Sequence, residues 1–203
     1  MTSREKILMT IKANQPATTK LPNIIEFDHE VEGSLLKFSS VLAGVGGKVA
    51  YVSGYPEIIR IILNRNDNNL RIVSPVKELS ALNTEKLVDL TSSHNLHNVE
   101  WAILNAQFGV AENGAVWITD KEMGQRVLPF VTQHLAVVIK AANIVATMHQ
   151  AYELISKTTY GFGTFIAGPS KTADIEQSLV IGAHGPRSMT VFIIEGHKHA
   201  EGI

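Results

Sequence analysis

The residues best equipped for chemistry lie together in TFIAGPSKTADIEQSLVIGAHGP, residues 164–186. Two hydroxyls (Ser170, Thr172), an ammonium (Lys171), two acids (Asp174, Glu176) and an imidazole (His184) crowd between two apolar runs. The order strand, Gly-Pro-Ser-Lys-Thr turn and short helix over about 172–179 is expected there. The unpaired first-turn amides of such a helix make an anion site at a sheet edge, supplemented by Ser170, Lys171 and Thr172. A structural reading stands beside it: Thr172 caps the helix while Asp174 and Glu176 complement its dipole. His184 and Gly185 open a His-Gly-Pro turn. That imidazole either bonds a backbone carbonyl or transfers protons.

A second constellation is Glu112-Asn113-Gly114, set between apolar runs at 106–111 and 115–119. Asn-Gly between such runs signals a hairpin. Glu112 is then either a solvated turn residue or a carboxylate held at the sheet edge as base or covalent nucleophile. Other segments imitate sites. GVGGK (44–48) precedes a strand instead of following one, so it reads as a helix C-cap. His94 with His97, and His197 with His199, lack further ligands at known metal spacing, and no metal site is expected.

The elements that must position these groups alternate between helix and strand. Thr2 and Glu5 have capping-box spacing ahead of Ile7, Leu8 and Ile11, which predicts an N-terminal helix, followed by a linker from Asn14 to Pro22. Val31, Leu35, Phe38 and Leu42 predict a second helix, ended by the glycines at 44–47. KVAYVS (48–53), a helix opening at Pro56 with Ile58, Ile59, Ile61 and Ile62 on its buried face, a polar turn at 64–69 and LRIVSP (70–75) form a βαβ unit with parallel strands. LAVVIK (135–140) reads as a fully buried strand. Ile144, Met148, Ala151 and Ile155 mark one face of a helix, and TFIAG and MTVFII are the last two strands. The segments 85–90 and 94–98 are ambiguous and loop, respectively. This is an α/β domain over 23–203 with a helical arm and linker over 1–22.

With 203 residues, 45% of them hydrophobic and 18% charged, the chain has the material for one well-filled core. A net charge of -1 provides no positive field for nucleic acid or an anionic membrane. Neither a secretion signal nor a run of spanning length is legible, so no membrane span and a cytoplasmic location are expected. The chain has no cysteine, which excludes thiol catalysis and a thiolate-ligated iron–sulfur cluster within it.

GPSKTADIEQSLVIGAHGP (168–186) resembles the C-terminal signature of the LUD-domain family, the group that contains lactate-utilisation protein C. SREKILMTIK (3–12), AQFGVAENGAVWI (106–118) and RVLPFVTQHLAVVI (126–139) resemble further segments of that family, most densely after residue 105. The resemblance implies a three-layer α/β sandwich around a largely parallel sheet, similar to the NagB/RpiA/CoA-transferase group. It also implies participation in the oxidation of L-lactate to pyruvate, with sibling subunits carrying the iron–sulfur clusters and this chain as the cluster-free subunit or ligand-binding component. On that reading Gly168, Ser170, Lys171, Thr172 and Gly185 bind a small carboxylate, with His184 as hydrogen-bond donor or acid. Glu112 and Gly114 line the opposite wall, and Arg126 reaches the carboxylate. Asn113 and Ala115 stand where the family usually has threonines. The resulting Glu-Asn-Gly is similar to the turn of CoA transferases whose glutamate is the nucleophile, so an acyl- or CoA-transferase using Glu112 is the alternative.

Overall fold

Three apolar segments, each buried on both faces, form the middle of a five-stranded sheet. The computed structural model describes residues 1–20, 33–65, 70–84, 92–175 and 178–195. Its strands β1 (Lys48–Val52), β2 (Ile72–Val73), β3 (Trp101–Asn105), β6 (His134–Lys140) and β11 (Ser188–Ile194) lie in the order β1-β11-β6-β3-β2, and every pairing is parallel. Leu135, Val137 and Ile139 of β6 enter one core with Leu104 and Val191, while Ala136 and Val138 enter the other with Ile103 and Phe192. A strand sandwiched this way has no solvent face, which is why LAVVIK is continuously apolar.

Helices and a second sheet cover the two faces. Helix α3 (Tyr55–Arg65) places Ile58 and Ile62 on one, joined by Leu79 and Leu82 from a 3-10 turn. Helix α2 (Ser34–Gly44) places Phe38 and Leu42 on the other. Beside α2 lies a four-stranded sheet of β4 (Phe108–Val110), β5 (Ala115–Thr119), β7 (Ile144–Val145) and β8 (Gly163–Ile166), ordered β7-β4-β5-β8. Val116 and Ile118 of β5 point into the shared core, whereas Trp117, with Phe108 of β4, packs outward on Ala151 and Ile155 of helix α6 (Met148–Ser156). The Asn-Gly hairpin is present as the antiparallel β4–β5 pair, and the single-turn helices α4 (Asp120–Met123) and α5 (Leu128–Val131) lead from β5 towards β6. The N-terminal helix α1 (Ser3–Ala13) has its Thr2–Glu5 capping box and buries none of its residues. Among the described residues no helix is long and apolar enough to cross a membrane.

Three expectations about elements change. β1 and β2 belong to one parallel sheet but occupy its opposite edges, so the βαβ segment spans the sheet instead of pairing its own strands. Ile144 and Val145 pair in parallel with Gly109 and Val110, and the helix starts only at Met148 after the Thr147 cap. The helix expected over 172–179 is an antiparallel hairpin of β9 (Lys171–Ile175) and β10 (Ser178–Ile181), with Lys171 opposite Ile181 and Thr172 opposite Val180. Its ends meet, since the Gly182 amide donates to the Ser170 carbonyl at 3.0 Å. An excursion that must return to its origin suits a hairpin, and β-branched Thr172, Val180 and Ile181 favour strands. Val31, Pro22, residues 66–69 and 85–90, Glu176, His197 and His199 lie outside the described residues.

Leu104 is fully buried at the sheet centre, so Leu104→Ala should cost about 2–5 kcal/mol. Leu36→Ala, at a side chain 73% exposed on α2, should stay within about 0.5 kcal/mol. Urea unfolding of both variants checks the pair.

Candidate functional site

All five parallel strands run the same way, so the central sheet has a rim where strands begin and a rim where they end. The hallmark turns lie at the first. Pro186 and Arg187 lead into β11, and the Arg187 amide donates to the Gln133 carbonyl just ahead of β6, at 2.8 Å. The Ser170 amide donates to the Pro186 carbonyl at 2.9 Å, and a Cβ on Gly185 would stand 3.0 Å from Ser170 Cβ. The two turns are therefore clasped together. Gly168 has φ 76°, and a Cβ there would come within 2.7 Å of the Val45 carbonyl oxygen, so glycine alone lets this turn lie against the end of α2. Lys171 lies beside Gly46, and His184 is exposed. With the helix replaced by a hairpin and the Ser170 amide already engaged, the expected helix-terminus anion site has lost its backbone donors. The side chains of Ser170, Lys171, Thr172 and His184 remain at this rim.

The Glu112 turn sits near the same end of the molecule, because both Gly114 and Gly168 abut the last residues of α2. Glu112 is exposed, and its Oε2 accepts from the Met148 amide at 2.8 Å. A carboxylate in the first turn of α6 complements the helix dipole. Gly114, at φ 67°, is pressed against Leu42, where a Cβ would stand 2.8 Å from the Leu42 amide nitrogen. Asn113 Oδ1 accepts from the Ala115 amide at 3.0 Å, so the turn is closed by its own side chain. Arg126 is elsewhere. Its guanidinium pairs with Asp120 at 3.1 Å and lies over the Phe162 ring, beyond the far end of β5 and about 16 Å of strand from Gly114.

The rim where strands end holds what sequence reasoning missed. A cavity of about 260 Å³ opens there, lined by Tyr55, Asn105, Gln107, Glu122, Lys140 and Asn143 over a floor that includes Val138 and Ile139. Open α/β sheets take their ligands beyond the carboxyl ends of their strands. Asn105 closes β3, and its Oδ1 is buried with no partner. Burial first, then the charge of Glu78, raises the Tyr55 pKa above the ordinary phenol value against the opposing influence of the Asn105 side chain, which keeps the hydroxyl protonated at neutral pH. Glu122 accepts from the Thr119 amide and hydroxyl at 3.0 and 2.6 Å, and Gln107 Nε2 lies 3.3 Å from each of its oxygens. Asn143 donates to the Gln107 carbonyl at 3.0 Å, and Lys140, the last residue of β6, is exposed at the mouth. These residues end or follow strands, a signal present in the sequence. That β3 and β6 are neighbours is not.

At the opposite rim Trp101, His134 and Ser188 form one cross-strand row. His134 Nδ1 is 2.7 Å from Ser188 Oγ, its Nε2 is 3.4 Å from Glu100, and its ring lies 4.8 Å from that of Trp101. Burial holds the His134 pKa below the ordinary value; the Glu100 carboxylate opposes this, and Arg187 and Lys48 reinforce it.

Fold and cavity together describe an α/β protein with a polar cavity at the carboxyl rim of a parallel sheet. A family model described as the LUD domain matches residues 58–194, and the chain belongs to that family. It is 36% identical to lactate utilization protein C of Anoxybacillus flavithermus over 42% of this chain and 39% of that protein. With lactate utilization protein C of Bacillus subtilis it shares 35% identity over 45% of this chain and 42% of that protein. An uncharacterized protein of Neisseria meningitidis serogroup B matches nearly end to end, 22% identical over 96% of this chain and 94% of that protein. The crystal structure of a DUF162 family protein from Deinococcus radiodurans superposes with a TM-score of 0.57 over 80% of this chain and 96% of that chain, at 18% identity, and shares the fold.

The lowered His134 pKa means that the unfolded chain binds more protons near the ordinary value of 6.5. Its contribution to stability is complete above that value and is lost as pH falls through the lowered folded one. Urea midpoints of the wild type and His134→Gln, measured from about pH 5 to 8, should show a weaker acid-side decline in the variant. Superimposable pH profiles would remove His134 as the source.

Proposed function

We propose that this chain is the cluster-free, ligand-binding component of a lactate-utilisation system, holding a small organic acid while iron–sulfur subunits take up the electrons. The observation that carries the reading is the polar cavity beyond β3 and β6, lined by a residue with a buried unpaired acceptor and by a lysine at the mouth. Lys140 attracts a carboxylate, while Tyr55 and Gln107 offer neutral polar groups that orient it. The names of the relatives supply the metabolic context. With no cysteine in this chain, a thiolate-held cluster belongs to another one. The chemistry of this chain is then binding and orientation, and the electrons released on oxidation of the acid leave through the partner.

Titration of ¹⁵N-labelled protein with L-lactate should perturb the Asn105 and Gln107 side-chain amides. Lys140→Glu should weaken binding at least about tenfold, in line with a charge-assisted hydrogen bond of about 1.5–3 kcal/mol. Perturbations confined to Ser170, Lys171 and His184 would move the acid to the hallmark rim. Purification of the untagged protein from its native host should recover chains that contain iron and acid-labile sulfide; recovery of this chain alone at native expression counts against the partnership.

A further inference from the structure

We propose that β1 is a dimer edge, where a second copy of this chain adds its own β1 antiparallel and joins the two central sheets into one. β1 is the outermost strand on its side and pairs with β11 alone. Its Val52 carbonyl accepts from the amide of Glu195, the residue that follows β11. Backbone groups of successive residues in a strand point to opposite sides, so Ala50 and Val52 bond inward to β11 while the N–H and C=O groups of Val49 and Tyr51 point out from the edge. Val49 to Val52 contain no charge, proline or bulge, the devices that keep an edge from pairing. Among the described residues the edges at β2 and β7 offer only two residues each.

This edge is complementary to itself. With Ala50 opposite Ala50 of the second copy, Val49 opposes Tyr51 and Tyr51 opposes Val49. All four outward groups then find partners, and the two alanines form the close pair between them. A register centred on Tyr51 sets Val49 against Ser53, whose amide is taken by Glu57 at 3.0 Å. One centred on Val49 sets Tyr51 against Gly47, whose amide is taken by the Leu42 carbonyl at 2.9 Å. Side chains favour the same register. Val49 lies on the α2 face with Tyr51, which is 41% exposed and bonded through its hydroxyl to Ser39 at 2.7 Å, so an aromatic ring meets a β-branched side chain across the pair. On the α3 face the exposed Lys48 comes opposite Val52 of the second copy, at the strand end where the Ser53 amide and hydroxyl hold the Glu57 carboxylate, each at 3.0 Å. The twofold axis repeats this meeting of cation and anion. Because the paired strands are antiparallel, the carboxyl-rim cavities of the two copies lie at opposite ends of the joined sheet.

Light scattering of the full chain after size exclusion should give twice its 22.2 kDa. Mild oxidation of Ala50→Cys should link the copies into a covalent dimer on a denaturing gel. The chain has no cysteine of its own, and directly opposed residues with Cα atoms about 4.5 Å apart are within disulfide reach. Thr164→Cys, on the open edge β8, should remain single under the same oxidation. Lys48→Glu alters an exposed side chain, sets like charges together and should raise the dimer dissociation constant about tenfold, more at low salt than at high. A single mass at every concentration up to about 100 µM, a dimer that Ala50→Cys does not trap, trapping by Thr164→Cys instead, or a dissociation constant indifferent to Lys48→Glu would overturn the proposal.

Discussion

Burial of β6 on both faces is the constraint from which the architecture follows. Leu135 to Ile139 have no route to solvent, so each face of the central sheet needs a cover, and α3 on one side with α2 and the second sheet on the other provide it. Parallel pairing of β3, β6 and β11 then gathers all strand beginnings at one rim and all strand ends at the other. Among the described residues the buried polar side chains are hydroxyls such as Ser74 and Thr190, and the charged groups lie at the periphery.

The rims divide the work. At the beginnings, the family hallmark closes the molecule: Ser170 and Pro186 are hydrogen-bonded, Gly168 meets Val45, and the β9–β10 hairpin leaves from this clasp and returns to it. Glycine at 168 and 185 is explained by the close approach of neighbouring chain at each position. At the ends, Asn105 and Lys140 are carried to one cavity by the strands they terminate. Asn105 Oδ1 is buried there without a donor, which costs the fold about 1–3 kcal/mol.

The turn at Glu112 is closed by its own residues and by α2. Asn113 closes the turn through its own side chain, and Gly114 holds the positive φ that packing against Leu42 demands. The Glu112 carboxylate serves the first turn of α6, an interaction that joins the two halves of the second sheet through β4 and the β7–α6 connection. A carboxylate so used is a structural element first.

What the sequence determined by itself was local: the capping box at Thr2 and Glu5, the Asn-Gly hairpin, the apolar run of β6 and the glycine turns all follow from short-range periodicity and turn chemistry. The membership of the hallmark in a family was legible for the same reason, as a fixed order of residues along the chain. Tertiary structure decided the rest. Strand order placed β1 and β2 at opposite edges, the meeting of Ser170 with Gly182 turned an expected helix into a hairpin, and the adjacency of β3 and β6 made Asn105 and Lys140 neighbours. Each of these depends on contacts between residues far apart in sequence, whose free energy has no signature in any local window.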